Sequence, residues 1–207
     1  MLILCWNVNL ASLVSGFDII TRSKNILKTI HKLDPEILFL QESSTLFTED
    51  LLSIGYSLVG SIRSHCGLVA TYTRICNVQF CIAKDLLAGS YVSVTYNNMT
   101  LINCHLIPNS FKNSLVLIHS LNNENVLLMG DMNTSESFDT PLLKDIGSDT
   151  PTWRESFFNP GSTKVMRYDR ILSSISCCSS FKVHSEFAGQ SDHDPISIVI
   201  LFNDKQK

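Results

Sequence analysis

The sequence predicts an α/β fold, a sandwich of mixed β-sheets with helices packed outside. Three observations carry the prediction. Short apolar runs of strand length recur along the 207 residues, and most of them end in a polar cluster. Helical spacing shows in only two stretches, too few for strict βαβ alternation. Hydrophobic residues make up 44% of the chain and charged residues 17%, a balance that fits a compact core and excludes disorder or a coiled coil.

In chain order, Met1 to Cys5 is an apolar run that stops at a polar cluster, as a buried strand does. Thr21 to Leu33 places Ile26, Leu27, Ile30 and Leu33 at helical spacing, with Lys24, Lys28 and Lys32 on the other side. Asp34-Pro35 ends that helix, and Glu36 to Leu40 reads as the next buried strand. Gly67 to Tyr72, Tyr91 to Tyr96 and Thr100 to Leu106 are further strands, the last two joined by an Asn97-Asn98 hairpin turn. Phe111 to Leu121 reads as an amphipathic helix, Val126 to Met129 as a strand, and Tyr168 to Leu172 and Ile196 to Phe202 as the closing strands. With no repeat, low-complexity tract or linker, residues 1–207 are expected to form a single domain.

A net charge of −3 argues against a protein that coats nucleic acid by bulk basicity, while leaving room for a local basic patch. The seven cysteines, Cys5, Cys66, Cys76, Cys81, Cys104, Cys177 and Cys178, form no CxxC pair. They read as reduced core thiols of a cytoplasmic or nuclear protein rather than a disulfide framework or zinc site. The opening MLILCWNVNL has neither a basic n-region nor a long apolar h-region, and no run approaches the ~20 apolar residues of a membrane span. An intracellular monomer that is not secreted and has no membrane partner is expected.

The chemistry-bearing residues follow the apolar runs. CWNVN carries Asn7, ILFLQE carries Glu42, LINCHL carries His105, NVLLMGDMNT carries Asp131 and Asn133, and QSDHDPI carries Asp192 and His193. RYDRIL adds Asp169 between apolar neighbours. Each has a bland reading: turn residues for Asn7, Asp131 and Asn133, a satisfied core histidine for His105, an ion pair with Arg167 or Arg170 for Asp169. Glu42 resists one, because a carboxylate ending a buried strand is costly unless paired or metal-bound. One shared site explains all of them together. The oxygen donors of Glu42, Asp192 and Asn7 suit Mg²⁺, or Mn²⁺, and the scarcity of His/Cys pairs argues against zinc. A cation on phosphate oxygens, a carboxylate to deprotonate water and donors for the developing charge are the parts for water attack on phosphorus.

The ordered set of Trp6-Asn7, Leu40 to Glu42, Gly67 to Arg74, Asn103 to Leu106, Gly130 to Asn133, Tyr168 to Ile171 and Ser191 to His193 resembles the endonuclease/exonuclease/phosphatase superfamily, with its DNase I-like fold. The resemblance implies a four-layered α/β sandwich of two mixed β-sheets flanked by helices. It implies that Glu42 is the principal metal ligand with Asn7 and Asp192 at or near the metal. Asp131 would activate water and Asn133 would hold that water or the phosphate. His193, oriented by Asp169, would stabilise the transition state, and His105 would be a further phosphate contact. Thr152-Trp153 with Arg167 to Ile171 resembles the tyrosyl-DNA phosphodiesterase branch. That likeness implies a nucleic-acid end as partner, DNA or RNA and protein-linked, with Trp153 and Arg170 on the substrate; a core tryptophan is the alternative for Trp153. GDMN with SDHDPI is also similar to the exonuclease III-like abasic-site endonucleases, and a lipid or small-molecule phosphate or a catalytically inactive binding module stand as further readings.

Overall fold

The computed structural model describes residues 1–11, 19–64, 66–86, 89–108, 125–136, 143–175 and 178–202. Among these, two six-stranded mixed sheets pack face to face. The first is built from β1 (Leu2–Asn7), β2 (Ile37–Ser43), β3 (Ser57–Ser64), β4 (Gly67–Thr73), β13 (Cys178–Val183) and β14 (Ile196–Ile200), in the order β13-β14-β1-β2-β4-β3. The second contains β5 (Gln79–Leu86), β6 (Gly89–Tyr96), β7 (Met99–Leu106), β8 (Val126–Asp131), β9 (Lys144–Asp145) and β12 (Asp169–Ser173), in the order β5-β6-β7-β8-β12-β9. A small ribbon of β10 (Trp153–Arg154) and β11 (Val165–Met166) stands apart. Each large sheet has one parallel pair at its centre, β1 with β2 and β7 with β8, and antiparallel partners outside it.

Strand alternation divides the apolar side chains between layers. Ile3, Cys5, Ile37 and Phe39 face the other sheet and meet Leu101, Leu127, Met129 and Ile171 in the inter-sheet core. Leu4, Trp6, Leu38 and Leu40 point the opposite way, onto Ile26 and Ile30 of α1 (Ile19–Leu33) and Phe47 and Leu51 of α2 (Thr45–Ser53). Their burial supplies the stabilisation of this layer, at roughly 1.5–3 kcal/mol per large apolar side chain. The outer face of the second sheet buries Ile102, Cys104, Leu106, Leu128 and Leu172. The helix expected over Phe111 to Leu121, and with it the fourth layer, lies outside the described residues.

The helix read at Thr21 to Leu33 is present as α1, closed by Asp34, whose φ of 50° lets its N–H reach the Ile30 carbonyl at 2.9 Å. Asn97 and Asn98 both take positive φ, 47° and 60°, and turn β6 into β7 as expected. Strands β3, β5 and β13 were not legible: they are edge strands, mostly solvent-exposed, with little apolar alternation to read. Helix α2 buries only Phe47 and Leu51, though its N-cap Ser44, accepting from the Phe47 N–H at 3.2 Å, marks its start. The cysteines divide: Cys5 and Cys104 are buried thiols, whereas Cys76 and Cys81 are exposed because they lie in the turn after β4 and on edge strand β5. None of the described cysteines is in a disulfide. Among the described residues no helix is long and apolar enough to cross a membrane.

Candidate active site

The C-terminal ends of the two parallel pairs converge, and they carry the site. β1 ends in Asn7 and β2 delivers Glu42; β7 and β8 bring His105 and Asp131 directly opposite each other. On the other flank of β8, antiparallel β12 sets Asp169 opposite Asp131, so three polar residues stand side by side across one sheet. The loop entering β14 adds Asp192 and His193 from the first sheet.

Glu42 is presented by a bulge. The pairing of β2 with β4 shifts register between Leu40 and Ser43, and Glu42 holds a left-handed φ of 50°, unusual for a residue without a short polar side chain. Its carbonyl is fixed by the Leu10 and Ala11 N–H groups at 2.9 and 3.0 Å. Gly67, with φ of 116°, lies against the bulge, where a Cβ would collide with the Ala11 side chain. Gly130 before Asp131 is needed for a similar reason: a Cβ there would overlap the Cys104 carbonyl of the neighbouring strand.

Asp131 is held from both sides. Its Oδ1 accepts from the Asn133 N–H at 2.8 Å and its Oδ2 from Asn7 Nδ2 at 3.0 Å. The same Asn7 amide donates to Glu42 Oε1 at 3.0 Å, so one side chain spaces two carboxylates. Asn133, at φ 48°, uses its Nδ2 to bond the Leu106 carbonyl at 2.8 Å, tying this turn to the end of β7. His105 Nε2 stands 3.7 Å from both Glu42 Oε1 and Asp131 Oδ2. Ligand atoms of Glu42, His105 and Asp131 all lie within 4.8 Å of one another, a group able to hold a metal ion. Burial raises the Glu42 carboxyl above its ordinary value, with His105 and Asn7 opposing.

His193 Nδ1 is 2.8 Å from Asp169 Oδ2, and its Nε2 is 3.5 Å from Asp131 Oδ2. A carboxylate only accepts, so Nδ1 carries a proton and Nε2 faces the site. Burial by itself would lower this imidazole, but Asp169, Asp131 and Asp192 around it raise it well above the ordinary histidine value. Thr152 Oγ1 accepts from the Tyr168 and Asp169 N–H groups at 3.2 and 3.0 Å and fixes where β12 begins.

Asp192 has its oxygens engaged by other donors, Oδ1 by Asn9 Nδ2 at 2.9 Å and Oδ2 by Trp153 Nε1 at 3.0 Å. Trp153 is neither core nor fully exposed. It pairs by backbone with His193 and its ring lies 5.3 Å from that of Tyr168 at a tilt of 38°, forming an aromatic wall beside the imidazole. Arg170 is a correction. Expected on the substrate, it is buried with Nη1 bonded to Asp145 Oδ2 at 2.7 Å, and a guanidinium committed to a buried ion pair offers no free face to phosphate. Arg167 also pairs with Asp145, at 2.6 Å, so the acid that these arginines neutralise is Asp145 and not Asp169.

Several residues that shape the site were missed. Asn9 stands two residues after Asn7, a repeat visible in WNVN. Arg22, apparently one more cation on the polar side of α1, is buried and bonds the carbonyls of Val8, Asn9 and Gln190 at 3.0, 3.0 and 3.1 Å. It thereby joins the loop after β1 to the loop before His193. Beneath the site Gln41 Nε2 donates to Asn103 Oδ1 at 2.6 Å, and Asn103 Nδ2 donates to the Ala70 carbonyl at 2.9 Å, a polar bridge between the sheets. No hydrophobic pattern marks such inward-facing amides.

The model of the Endonuclease/Exonuclease/phosphatase family matches residues 4–193. The chain belongs to that family. Comparison with curated proteins finds no match. Among solved structures, truncated TDP2 of Caenorhabditis elegans is similar with a TM-score of 0.75 at 18% identity, over 97% of this chain and 97% of that one. D. rerio TDP2, complexed with a single-strand DNA product, gives 0.73 at 17% identity over 96% and 97%. The mannosyl-6-phosphatase Bt3783 of Bacteroides thetaiotaomicron gives 0.73 at 16% identity over 98% and 100%. At these identities the likeness carries the fold, the DNase I-like sandwich of two mixed sheets, and the family is one of metal-dependent hydrolases.

Proposed function

We propose that this protein is a divalent-metal-dependent phosphodiesterase that cleaves a phosphodiester at a nucleic-acid end, a 5′-tyrosyl DNA or RNA being the preferred substrate. The observation that carries the reading is the Glu42–His105–Asp131 group with the Asp169–His193 pair beside it. Among the described residues neither Glu42 nor Asp131 is paired with a lysine or arginine, so the buried negative charge calls for a cation. The donor set, two carboxylates and an imidazole, fits Mg²⁺ or Mn²⁺. Glu42 is the principal ligand, with Asn7 spacing it from Asp131 and Asp192 alongside. When bound, the ion supplies positive charge to the non-bridging phosphate oxygens.

Asp131 orients a water and takes its proton as the water oxygen attacks phosphorus. The bond from phosphorus to the leaving oxygen breaks in line, and that oxygen departs with the electron pair as an alkoxide or phenolate that takes its proton from solvent. His193 donates from Nε2 to the phosphate as charge builds, held in orientation by Asp169. Asn133 and His105 border the same phosphate, and Trp153 with Tyr168 offers a face for a planar ring, a base or a tyrosine.

A second reading is a phosphatase acting on a sugar phosphate, favoured by a fit to the Bacteroides mannosyl-6-phosphatase as good as that to zebrafish TDP2. One panel separates the possibilities: 5′-tyrosyl DNA, 5′-tyrosyl RNA, an abasic duplex, plain single strand and a sugar 6-phosphate, each with Mg²⁺ and with chelator. Chelator-sensitive release of tyrosine is the expected result. Cleavage of the abasic duplex alone, or of the sugar phosphate alone, would move the substrate assignment accordingly.

A further inference from the structure

The two sides of the catalytic group differ in chemistry. Along the first sheet, strand order β14-β1-β2-β4-β3 sets out His193, Asn7, Glu42 and the paired residues Ser64 and Gly67 in a row. The His193 end carries the Trp153–Tyr168 wall. At the opposite end, bordered by Glu42, a cleft of about 570 Å³ opens between that pair and the start of α2. Among the described residues its lining has no aromatic ring; Ser44, Thr45 and Ser64 contribute hydroxyls and Arg63 a cationic group.

We infer that this cleft is a subsite for a second phosphate, the one next along the substrate from the scissile group, with Arg63 as its recognition residue. The inference rests on the phosphodiesterase reading of the adjoining centre and names what the substrate carries on one arm. The volume lies within the roughly 300–1,000 Å³ of small-ligand sites. Arg63 is exposed on β3 and, among the described residues, has no carboxylate partner, so its fork of donors is open to an anion. The catalytic group is acidic, so a further negative charge on the substrate meets a complementary charge here. The Ser44 and Thr45 hydroxyls add neutral donors across the cleft from it. Among the described residues a ring-bearing arm finds an aromatic partner at Trp153 and none in this cleft. The two arms of a diester are thereby sorted, a planar group to one side and a charged backbone to the other.

Titration calorimetry on the full chain in Mg²⁺ tests this by comparing thymidine 5′-monophosphate with thymidine 3′,5′-bisphosphate. The bisphosphate is expected to bind about tenfold more tightly, the order of one charge-assisted hydrogen bond. Arg63→Gln should bring that ratio close to one, and Arg63→Lys should retain part of it. Equal affinities in the unaltered protein, or a preference that survives Arg63→Gln, would overturn the subsite while leaving the catalytic reading in place. Failure of both nucleotides to bind would overturn the two together.

Discussion

His193 Nδ1 lies 2.8 Å from Asp169 Oδ2 with both side chains buried, while Nε2 of the same ring points toward Asp131 at 3.5 Å. The pair comes from opposite sheets, Asp169 from the start of β12 and His193 from the loop into β14, so the sandwich must close before the ring is oriented. Asp169→Asn keeps the shape but replaces the acceptor with an amide able to donate. Hydrolysis is expected to fall by about 10²–10⁴-fold, the size of a general acid–base contribution. His193→Gln should cost a similar factor, and the double variant little more, because the two act as a unit. Single-turnover rates of the three variants check this.

The Glu42 carboxyl is raised above its ordinary value by burial, so in the metal-free protein its charged form is disfavoured. A carboxyl raised on folding contributes stability at low pH that is lost as pH rises through the raised value. A divalent cation binds the charged form and should restore stability on the high-pH side. The Mg²⁺-induced rise in Tm is therefore expected to be full at neutral pH, to shrink as pH falls through the raised Glu42 value, and to be absent in Glu42→Ala. Thermal melts with and without Mg²⁺ across that range measure it.

His184 gives a dependence of opposite sign. Burial lowers its imidazole below the ordinary 6.5, and Nε2 lies 2.9 Å from Ser197 Oγ. The folded protein binds this proton less readily than the unfolded chain. Stability is therefore complete above 6.5 and lost as pH falls through the lowered value. In metal-free protein, His184→Asn should flatten that acid limb of the Tm profile.

Arg22 spans two loops through three backbone carbonyls, two of them beside Asn7 and one beside Ser191. Arg22→Gln is expected to lower stability by about 2 kcal/mol, as lost hydrogen bonds to a buried charge do. It should also weaken Mg²⁺ binding, because Asn9 and Asp192 lose their anchor. Arg22→Lys should recover part of the stability and less of the metal affinity, since an ammonium cannot span the same three acceptors. Urea titration and calorimetry read the two effects separately.

Much of this was legible in the sequence, for identifiable reasons. Central strands such as Glu36 to Leu40 are buried on both faces and read as unbroken apolar runs, and the polar residue that ends each run marks a strand end. That is why Asn7, Glu42, His105 and Asp131 could be named before their convergence was visible. Edge strands β3 and β5 hide because exposure removes the pattern. Arg170 misled because the Arg167 to Ile171 likeness implied a substrate contact, and its partner Asp145 lies 25 residues away in sequence. Arg22 was hidden by company: three lysines on the same helix are solvent-facing, and nothing local distinguishes the one cation turned inward.

Asp131 is where the strands, the proposed metal and the imidazole meet, so one substitution there tests the account most directly. Single-turnover hydrolysis of a 5′-phosphotyrosyl oligonucleotide is measured for the unaltered protein and for Asp131→Asn, each in Mg²⁺ and in chelator. The unaltered protein should cleave in Mg²⁺ and stop in chelator. Asp131→Asn should remain folded by circular dichroism and lose about 10³-fold or more in rate. Full cleavage in chelator, or an Asp131→Asn rate equal to that of the unaltered protein, would contradict the account.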